Sequence, residues 1–589
     1  MIGDSKSTFG RIIPIWLLGC VILIAASWNQ ITGLSGWDPD DQLRLVQLRD
    51  FLGGQGWFDT NQYRLNAPDG SSMHWSRVTE LPLALIVLVL SPIFGTAVAE
   101  MIAGTAMPLL LLGATGWLLS DIAKRIGSPS AAPVAMILCV LTATVLAQMM
   151  PMRIDHHGWQ ITLASFSLWT LFRVHKRRAG LALGAALALW LHISLEGAPL
   201  AAAFFAYLGW RWIFHKAHGE RLLWTIISFA GGSLFLYFAT TAKGLSAPVW
   251  CDSISAPHLL AVVSAAVIMI PTILARPPLA PLRMTGAIAA GAAAFGCLFW
   301  FAPNCGGGAF AQMDPIVRDY WYGNVTEGLP IWRQGSWAKV SWLMPAVMGL
   351  AALFVLRRRR SSGQCEPLNI LAFFQVFALL VALLVFRASA VACAFAIPLL
   401  ANWLAGMLDQ YRGTNAPITK AKLAISMLLI AMAGPIISNI ASALSRVTAD
   451  TSTATTATNE VANKLCQSPA SAASLAALPN ARIVATLDMG PAILLNTDHA
   501  ILASSHHRNV DGMRDQINLF RSSPADAKTM LDKRGITHLA ICPNEAEMQQ
   551  YLLRDPEGLW AQMVDGKTPG WLKPLPDMGA GIKVWQVLR

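Results

Sequence analysis

Charge is what this sequence has least of. Only 13% of its 589 residues are Asp, Glu, Lys or Arg, about half the roughly 25% typical of a soluble globular protein. A chain so poor in charge has no water to face along most of its length, which excludes an ordinary soluble domain. Metal-binding cysteine pairs are also missing. None of the nine cysteines stands in Cys-x-x-Cys spacing, which excludes a zinc ribbon or finger. Acidic residues are in deficit, 33 against 44 basic ones, for a net charge of +11. In a soluble protein that surplus would point to nucleic acid. Here Lys and Arg collect between apolar runs, as the positive-inside rule expects, and nucleic acid is excluded as a partner.

What is present is hydrophobicity, at 54% of the chain. Runs of about 20 apolar residues recur, each long enough to cross a ~30 Å hydrocarbon core. The 22 Trp residues suit membrane–water interfaces. The first run, 12–28, follows Lys6 and Arg11 without a small-x-small cleavage signal. It reads as a retained anchor with a cytoplasmic N-terminus. Twelve further crossings are expected, at about 97–119, 131–149, 158–172, 180–195, 198–213, 222–241, 259–274, 285–301, 340–356, 370–386, 388–407 and 422–440. The shorter stretch 81–94 reads as lying along the interface. Basic clusters at 175–178 and 357–360 mark the cytoplasmic side, and an odd number of crossings puts the C-terminus outside.

The expected fold is a polytopic α-helical membrane protein of about 13 transmembrane helices over 1–441. Long outer loops fall at about 29–96 and 302–338. Residues 442–589 read as a linker, rich in Ala, Ser and Thr around 448–458, and a small outer α/β domain. Within it, 482–486 and 536–541 have the pattern of short buried strands. Cys251 and Cys305 fall in outer loops, and Cys466 and Cys542 in the outer domain. In an oxidising compartment they allow two disulfides, with connectivity open.

Several clusters on the outer side can carry chemistry. Trp37-Asp38-Pro39-Asp40-Asp41 packs three carboxylates into four residues, a density that calls for a cation or a basic partner. The plain alternative is a helix start with Asp38 as its N-cap. Asp155-His156-His157 offers divalent-metal ligands at a span end. Glu327 lies in the second long loop, downstream of Asp314 and Asp319. Arg387 stands between two apolar spans without an acidic neighbour in sequence, where it either snorkels or meets a lipid phosphate. The tail holds Asp488 in Thr486-Leu487-Asp488-Met489-Gly490, and then Ser505-His506-His507-Arg508-Asn509. Glu196 and His74-Trp75 are weaker signals of the same kind. Carboxylates holding a divalent cation beside an Arg suit a phosphate-linked substrate.

Taken in order, these parts resemble the oligosaccharyltransferase catalytic-subunit family of the GT-C class of membrane glycosyltransferases, over the whole chain. Trp37-Asp38-Pro39 matches the family's first-loop Asp motif. Asp155-His156-His157 resembles the archaeal second acidic motif, and Val325-Thr326-Glu327 with Pro330 resembles its Thr-Ile-x-Glu motif. Arg387 stands where the family places an Arg for the lipid-linked phosphate. One departure is plain: the family's Trp-Trp-Asp-x-Gly is replaced by Thr486-Leu487-Asp488-Met489-Gly490, without either Trp. A peptide acceptor therefore does not follow.

The resemblance implies a bacterial inner-membrane enzyme that uses a polyprenyl-phosphate or polyprenyl-diphosphate sugar donor. Its acceptor would be periplasmic, a lipid, polysaccharide or protein. Asp38, Asp155, His157 and Glu327 would hold Mg²⁺ or Mn²⁺, with Asp38 and Glu327 catalytic. Arg387 would bind the donor phosphate. Asp488, His506, His507 and Arg508 would bind the acceptor. Two other classes remain open. A transporter of lipid-linked glycans would place charge within its spans and show repeats, and neither is evident. A non-catalytic envelope scaffold would leave the acidic clusters without a role.

Overall fold

The apolar runs become helices, because a backbone in hydrocarbon must satisfy its own hydrogen bonds. The protein's structure is a computed structural model. It describes residues 3–334, 341–361, 365–437, 439–440, 466, 468–576, 578–579 and 581–589; the expected linker at 448–458 lies outside them. Among the described residues six helices are long and apolar enough to cross a membrane: Thr96–Ile126, Lys216–Thr240, Ala256–Leu274, Ala280–Phe301, Glu366–Leu384 and Phe386–Gly413. The single span expected over 131–149 is instead two helices, Ala131–Leu141 and Ala143–Leu146. Thr142 between them is extended, and its hydroxyl donates to Leu138 O at 2.7 Å.

The chain forms two compact units. The first comprises Met1–Ser27, Thr105–Gln312 and Thr326–Leu444. Its centre is the helix Ser389–Gly413, buried on nearly all sides over its first 19 residues, which is why that run is apolar all round rather than striped. Small residues let helices approach it. A Cβ on Gly349 would stand 2.6 Å from Ala396 Cβ. Gly180 and Gly184, four residues apart on Lys176–Ile193, do the same against Gly219–Thr240, where added Cβ atoms would meet Arg221 O at 2.6 Å and Thr225 O at 2.3 Å. This is the small-xxx-small contact of membrane helices. A disulfide joins Cys251 to Cys305.

The second unit comprises Trp28–Gly104, Met313–Val325 and Ser445–Arg589. It contains a hairpin, β1 (Asn61–Gln62) with β2 (Ser71–Ser72), and a five-stranded sheet. The sheet strands are β3 (Arg482–Ala485), β4 (Ala500–Ile501), β5 (His538–Ile541), β6 (Leu572–Pro574) and β7 (Lys583–Val587), in the order β4-β3-β5-β7-β6. β3 runs parallel to β4 and β5; β7 is antiparallel to β5 and β6. The two expected strands are β3 and β5, both buried.

β4 is an edge strand, and the first long loop covers it. Leu65 bridges Ile501 in parallel, with Ile501 N donating to Arg64 O at 2.7 Å and Ala67 N to Ile501 O at 3.1 Å. The Arg64 guanidinium donates to Thr497 O and Leu494 O, and Asp69 pairs with Arg534 at 2.7 Å. Tyr320 of the second long loop donates to Asp555 at 2.7 Å, with Arg554 over its ring. A disulfide joins Cys466 to Cys542.

Candidate active site

In the first unit, three helix ends and one loop meet. The loop before His157–Leu171 carries Asp155 and His156. It is buried and turns through Met152, whose φ of 68° is left-handed; a non-glycine residue held there costs roughly 1–3 kcal/mol. Asp155 Oδ1 lies 2.6 Å from His156 Nδ1, and its Oδ2 lies 3.2 Å from His157 Nε2. The helix Lys176–Ile193 ends at extended Ser194, whose hydroxyl accepts from Glu196 N at 3.4 Å. Gly197 follows because a Cβ there would meet the Trp190 indole at 2.4 Å. That turn aims Glu196 at the same place. Gln160 ties the parts together: its Nε2 reaches Glu196 Oε2 at 3.2 Å and His157 Nδ1 at 3.4 Å, and its Oε1 accepts from Trp190 at 3.3 Å.

Arg387 enters from the short turn Phe386–Ala388. Its Nη1 donates to Glu196 and its Nη2 donates to Glu327 Oε1 at 2.6 Å. The loop turn bearing Glu327, Thr326–Gly328, is held nearby by Phe386 N donating to Leu329 O at 3.2 Å. The sequence offered Arg387 no acidic neighbour; the fold supplies two. Burial by itself would raise the Glu196 carboxyl, but Arg387, both histidines and the Gln160 amide outweigh it and bring it down to about 2. Of the residues expected to converge, Asp155, His157, Glu327 and Arg387 therefore share one chain of contacts. Sequence reasoning underrated Glu196, and missed Gln160 and Trp190. The only signal for Glu196 was an acidic residue wedged between two apolar runs.

The donor set fits a divalent cation. One atom each from Asp155, His156 and His157 lie within 4.8 Å of one another. Ligands at ~2.0–2.2 Å from a common ion stand about 3–4.4 Å apart, so small side-chain rotations suffice. Two imidazoles and a carboxylate suit Mn²⁺ or Zn²⁺ better than Mg²⁺, which prefers oxygen alone.

Asp38 belongs to the second unit and caps the helix Pro39–Leu52: its Oδ1 accepts from Asp41 N at 3.1 Å, and Asp41 Oδ2 accepts from Trp37 N at 3.0 Å. Asp41 thus reaches back one residue beyond the cap, to Trp37 N rather than to the Asp38 N that a capping box would use. Asp40 points elsewhere. Its Oδ1 lies 3.0 Å from His506 Nε2, and Ser504 Oγ lies 2.9 Å from His506 Nδ1. His506 is only 2% exposed. Trp75 meets His506 edge-on at 5.1 Å, and Arg44 lies over Trp75 at 4.4 Å. The His507 ring packs tilted against His74 with centroids 4.3 Å apart, and Arg508 donates to Met73 O at 3.4 Å. Asp488 is exposed, just beyond the carboxyl end of β3. The loops after parallel β3 and β4 thus carry all four expected acceptor residues. Beneath them Glu547 accepts from Leu487 N at 2.8 Å and from Gln516 and Tyr551, both at 3.1 Å. Its burial pushes the carboxyl up to about 7, against those hydrogen bonds.

The fold is similar to that of solved archaeal oligosaccharyltransferase structures, in a chain whose described residues include six helices long and apolar enough to cross a membrane. The solved structures it is similar to include the archaeal oligosaccharyltransferase AglB from Archaeoglobus fulgidus. With that enzyme tethered to an acceptor peptide containing the NVT sequon, the TM-score is 0.65 at 12% identity, over 96% of this chain and 73% of that one. With its complex of an inhibitory peptide and a dolichol-phosphate the TM-score is 0.62 at 11% identity, over 90% and 69%. With its complex with Zn and sulfate the TM-score is 0.56 at 12% identity, over 90% and 67%. No protein-family model and no curated protein sequence matches the chain.

Proposed function

We propose that the chain is a membrane glycosyltransferase of the bacterial inner membrane. It crosses the membrane about thirteen times and transfers a sugar or glycan from a polyprenyl phosphate or diphosphate to a periplasmic acceptor. The observation that carries this reading is the cluster of Asp155, His157, Glu196, Arg387 and Glu327 at the ends of apolar helices. It combines metal-ligating side chains with one guanidinium, which is the chemistry a phosphate leaving group needs. The dolichol-phosphate bound in the archaeal enzyme supports the donor class, and its Zn complex supports a divalent cation.

In this reading Arg387 binds the leaving phosphate. Asp155, His157 and Glu327 hold Mn²⁺ or Mg²⁺, the imidazole favouring Mn²⁺. When bound, the cation neutralises charge growing on the leaving oxygen. An acceptor O–H or N–H attacks the anomeric carbon while the bond from that carbon to the phosphate oxygen breaks, the electron pair staying with the phosphate. A single displacement inverts the anomeric centre. On the sequence argument Asp38 takes up or orients the acceptor's proton. Asp488, Asp40 with its partner His506, His507 and Arg508 select the acceptor.

The test is transfer of a labelled sugar from its polyprenyl phosphate by the purified chain, with inverted product, loss of activity in EDTA and loss in Asp155→Ala. Transfer that survives both EDTA and Asp38→Ala would sink the metal-site reading. Lipid-linked sugar crossing liposomes without covalent product would favour transport instead.

A further inference from the structure

Arg387 is held by two carboxylates, one on each arm: Nη1 donates to Glu196 and Nη2 to Glu327. An incoming phosphate needs one of the two arms, so one carboxylate must give way. The two are not equivalent. Glu196 stands on a turn closed by Ser194 and by Gly197 against Trp190, and Gln160 holds its other oxygen. Its side chain is 29% exposed. Glu327 lies in a loop, and its side chain is 49% exposed. Glu327 is the one free to leave.

We infer that Glu196 is a positioning residue that pins Arg387 by one arm, so that the other arm exchanges Glu327 for a donor phosphate. This inference rests on the proposed function. The physical reason is geometric. An arginine without its Glu196 anchor turns both arms to Glu327, and such a bidentate fork is stronger than a single bond. Glu327 would then be trapped. With the anchor in place, an incoming phosphate competes for one bond only, and the displaced carboxylate becomes available to the cation ligands. Gln160, which touches both Glu196 and His157, keeps the two halves in register. Linkage then requires phosphate and cation to raise each other's affinity by the same factor.

The test reads binding, not turnover. Mn²⁺ affinity is measured by electron paramagnetic resonance on the full chain in lipid nanodiscs, with and without sugar-free polyprenyl phosphate. The lipid should tighten Mn²⁺ binding about 5–10-fold, within the usual range of coupled sites. Glu196→Gln should reduce that factor to within about twofold, and Glu196→Asp should retain part of it. On a Glu327→Gln background, Glu196→Gln should change Mn²⁺ affinity no further, because its effect passes through Glu327. Inorganic phosphate in place of the lipid should give an equal shift if the headgroup alone is read, and a smaller one if the tail contributes; either shift must vanish in Glu196→Gln. Wild-type coupling in Glu196→Gln would overturn the inference. So would an equal loss of Mn²⁺ affinity with Glu327 present or absent, since Glu196 would then be only a nearby charge. If sugar transfer fails while the coupling persists, the proposed function falls and what remains is a phosphate- and Mn²⁺-coupled arginine without a donor role. If transfer succeeds while coupling ignores Glu196, only the inference falls.

Discussion

His506 Nε2 stands 3.0 Å from Asp40 Oδ1, so a buried imidazole from the end of the chain grips the helix that Asp38 caps near its beginning. The grip bears on the acceptor side of the proposed reaction. His506→Ala should raise the apparent KM for acceptor about tenfold, which corresponds to roughly 1.4 kcal/mol of lost positioning, and leave the donor KM within twofold. Steady-state kinetics with each substrate varied in turn would decide. Equal losses on both substrates would mean that His506 only supports the fold.

Removal of the metal ligands should act on the cation first. Asp155→Ala and His157→Ala should each weaken Mn²⁺ binding by at least about tenfold, with far-ultraviolet circular dichroism unchanged. Excess Mn²⁺ should restore part of the activity in His157→Ala, which keeps both proposed carboxylate ligands, and less in Asp155→Ala, which keeps only Glu327.

Arg387→Ala leaves Glu196 without its cation. Losing one partner of a fully buried pair costs about 3–5 kcal/mol; partial exposure lowers that here to about 1–3 kcal/mol. The pH dependence has a definite sign. Glu196 is depressed to about 2 in the folded chain, so its contribution is complete above the ordinary Glu value and disappears as pH falls towards 2. Thermal melts should show Arg387→Ala less stable than wild type at neutral pH, with the gap narrowing between about pH 4.5 and 2.

Glu547 has the opposite sign. Its carboxyl is raised to about 7, so the folded state holds a proton that the unfolded state has lost, and stability falls as pH rises from about 4.5 to 7. Glu547→Gln removes that slope. Its Tm should exceed that of wild type by about 2–4 °C at pH 8, the shift expected from roughly 1 kcal/mol, and match it near pH 4.5. Differential scanning fluorimetry across that range measures it.

Six long apolar helices were legible because hydropathy is a local property: a run of apolar residues declares itself without knowing its neighbours. β3 and β5 were legible for the same reason, as short buried β-rich runs. Pairings over distance were not. Arg387 looked isolated because its partners lie 191 and 60 residues away. The triple carboxylate at 38–41 was conspicuous, yet its division of labour was hidden. Asp38 and Asp41 close the helix start while Asp40 meets His506, and only the backbone's path separates those roles. The first long loop looked independent, and its strand-like contact with β4 left no periodic trace because it is a single bridge at Leu65.

That bridge has a consequence for how the protein is made. Leu65, Arg64 and Asp69 leave the ribosome long before the strand and arginine they grip, and Asp69 and Arg534 are 465 residues apart. At ~5–20 residues per second, the first loop waits roughly half a minute to a minute and a half for its partner. Throughout that interval it must be kept from aggregation and proteolysis, while most of the apolar helices are being inserted. A fragment starting near 445 would carry the reverse defect, with β4 bare along one edge and open to another molecule's strand. The piece to express or transplant is therefore not a terminal segment but a pair of segments from opposite ends of the gene.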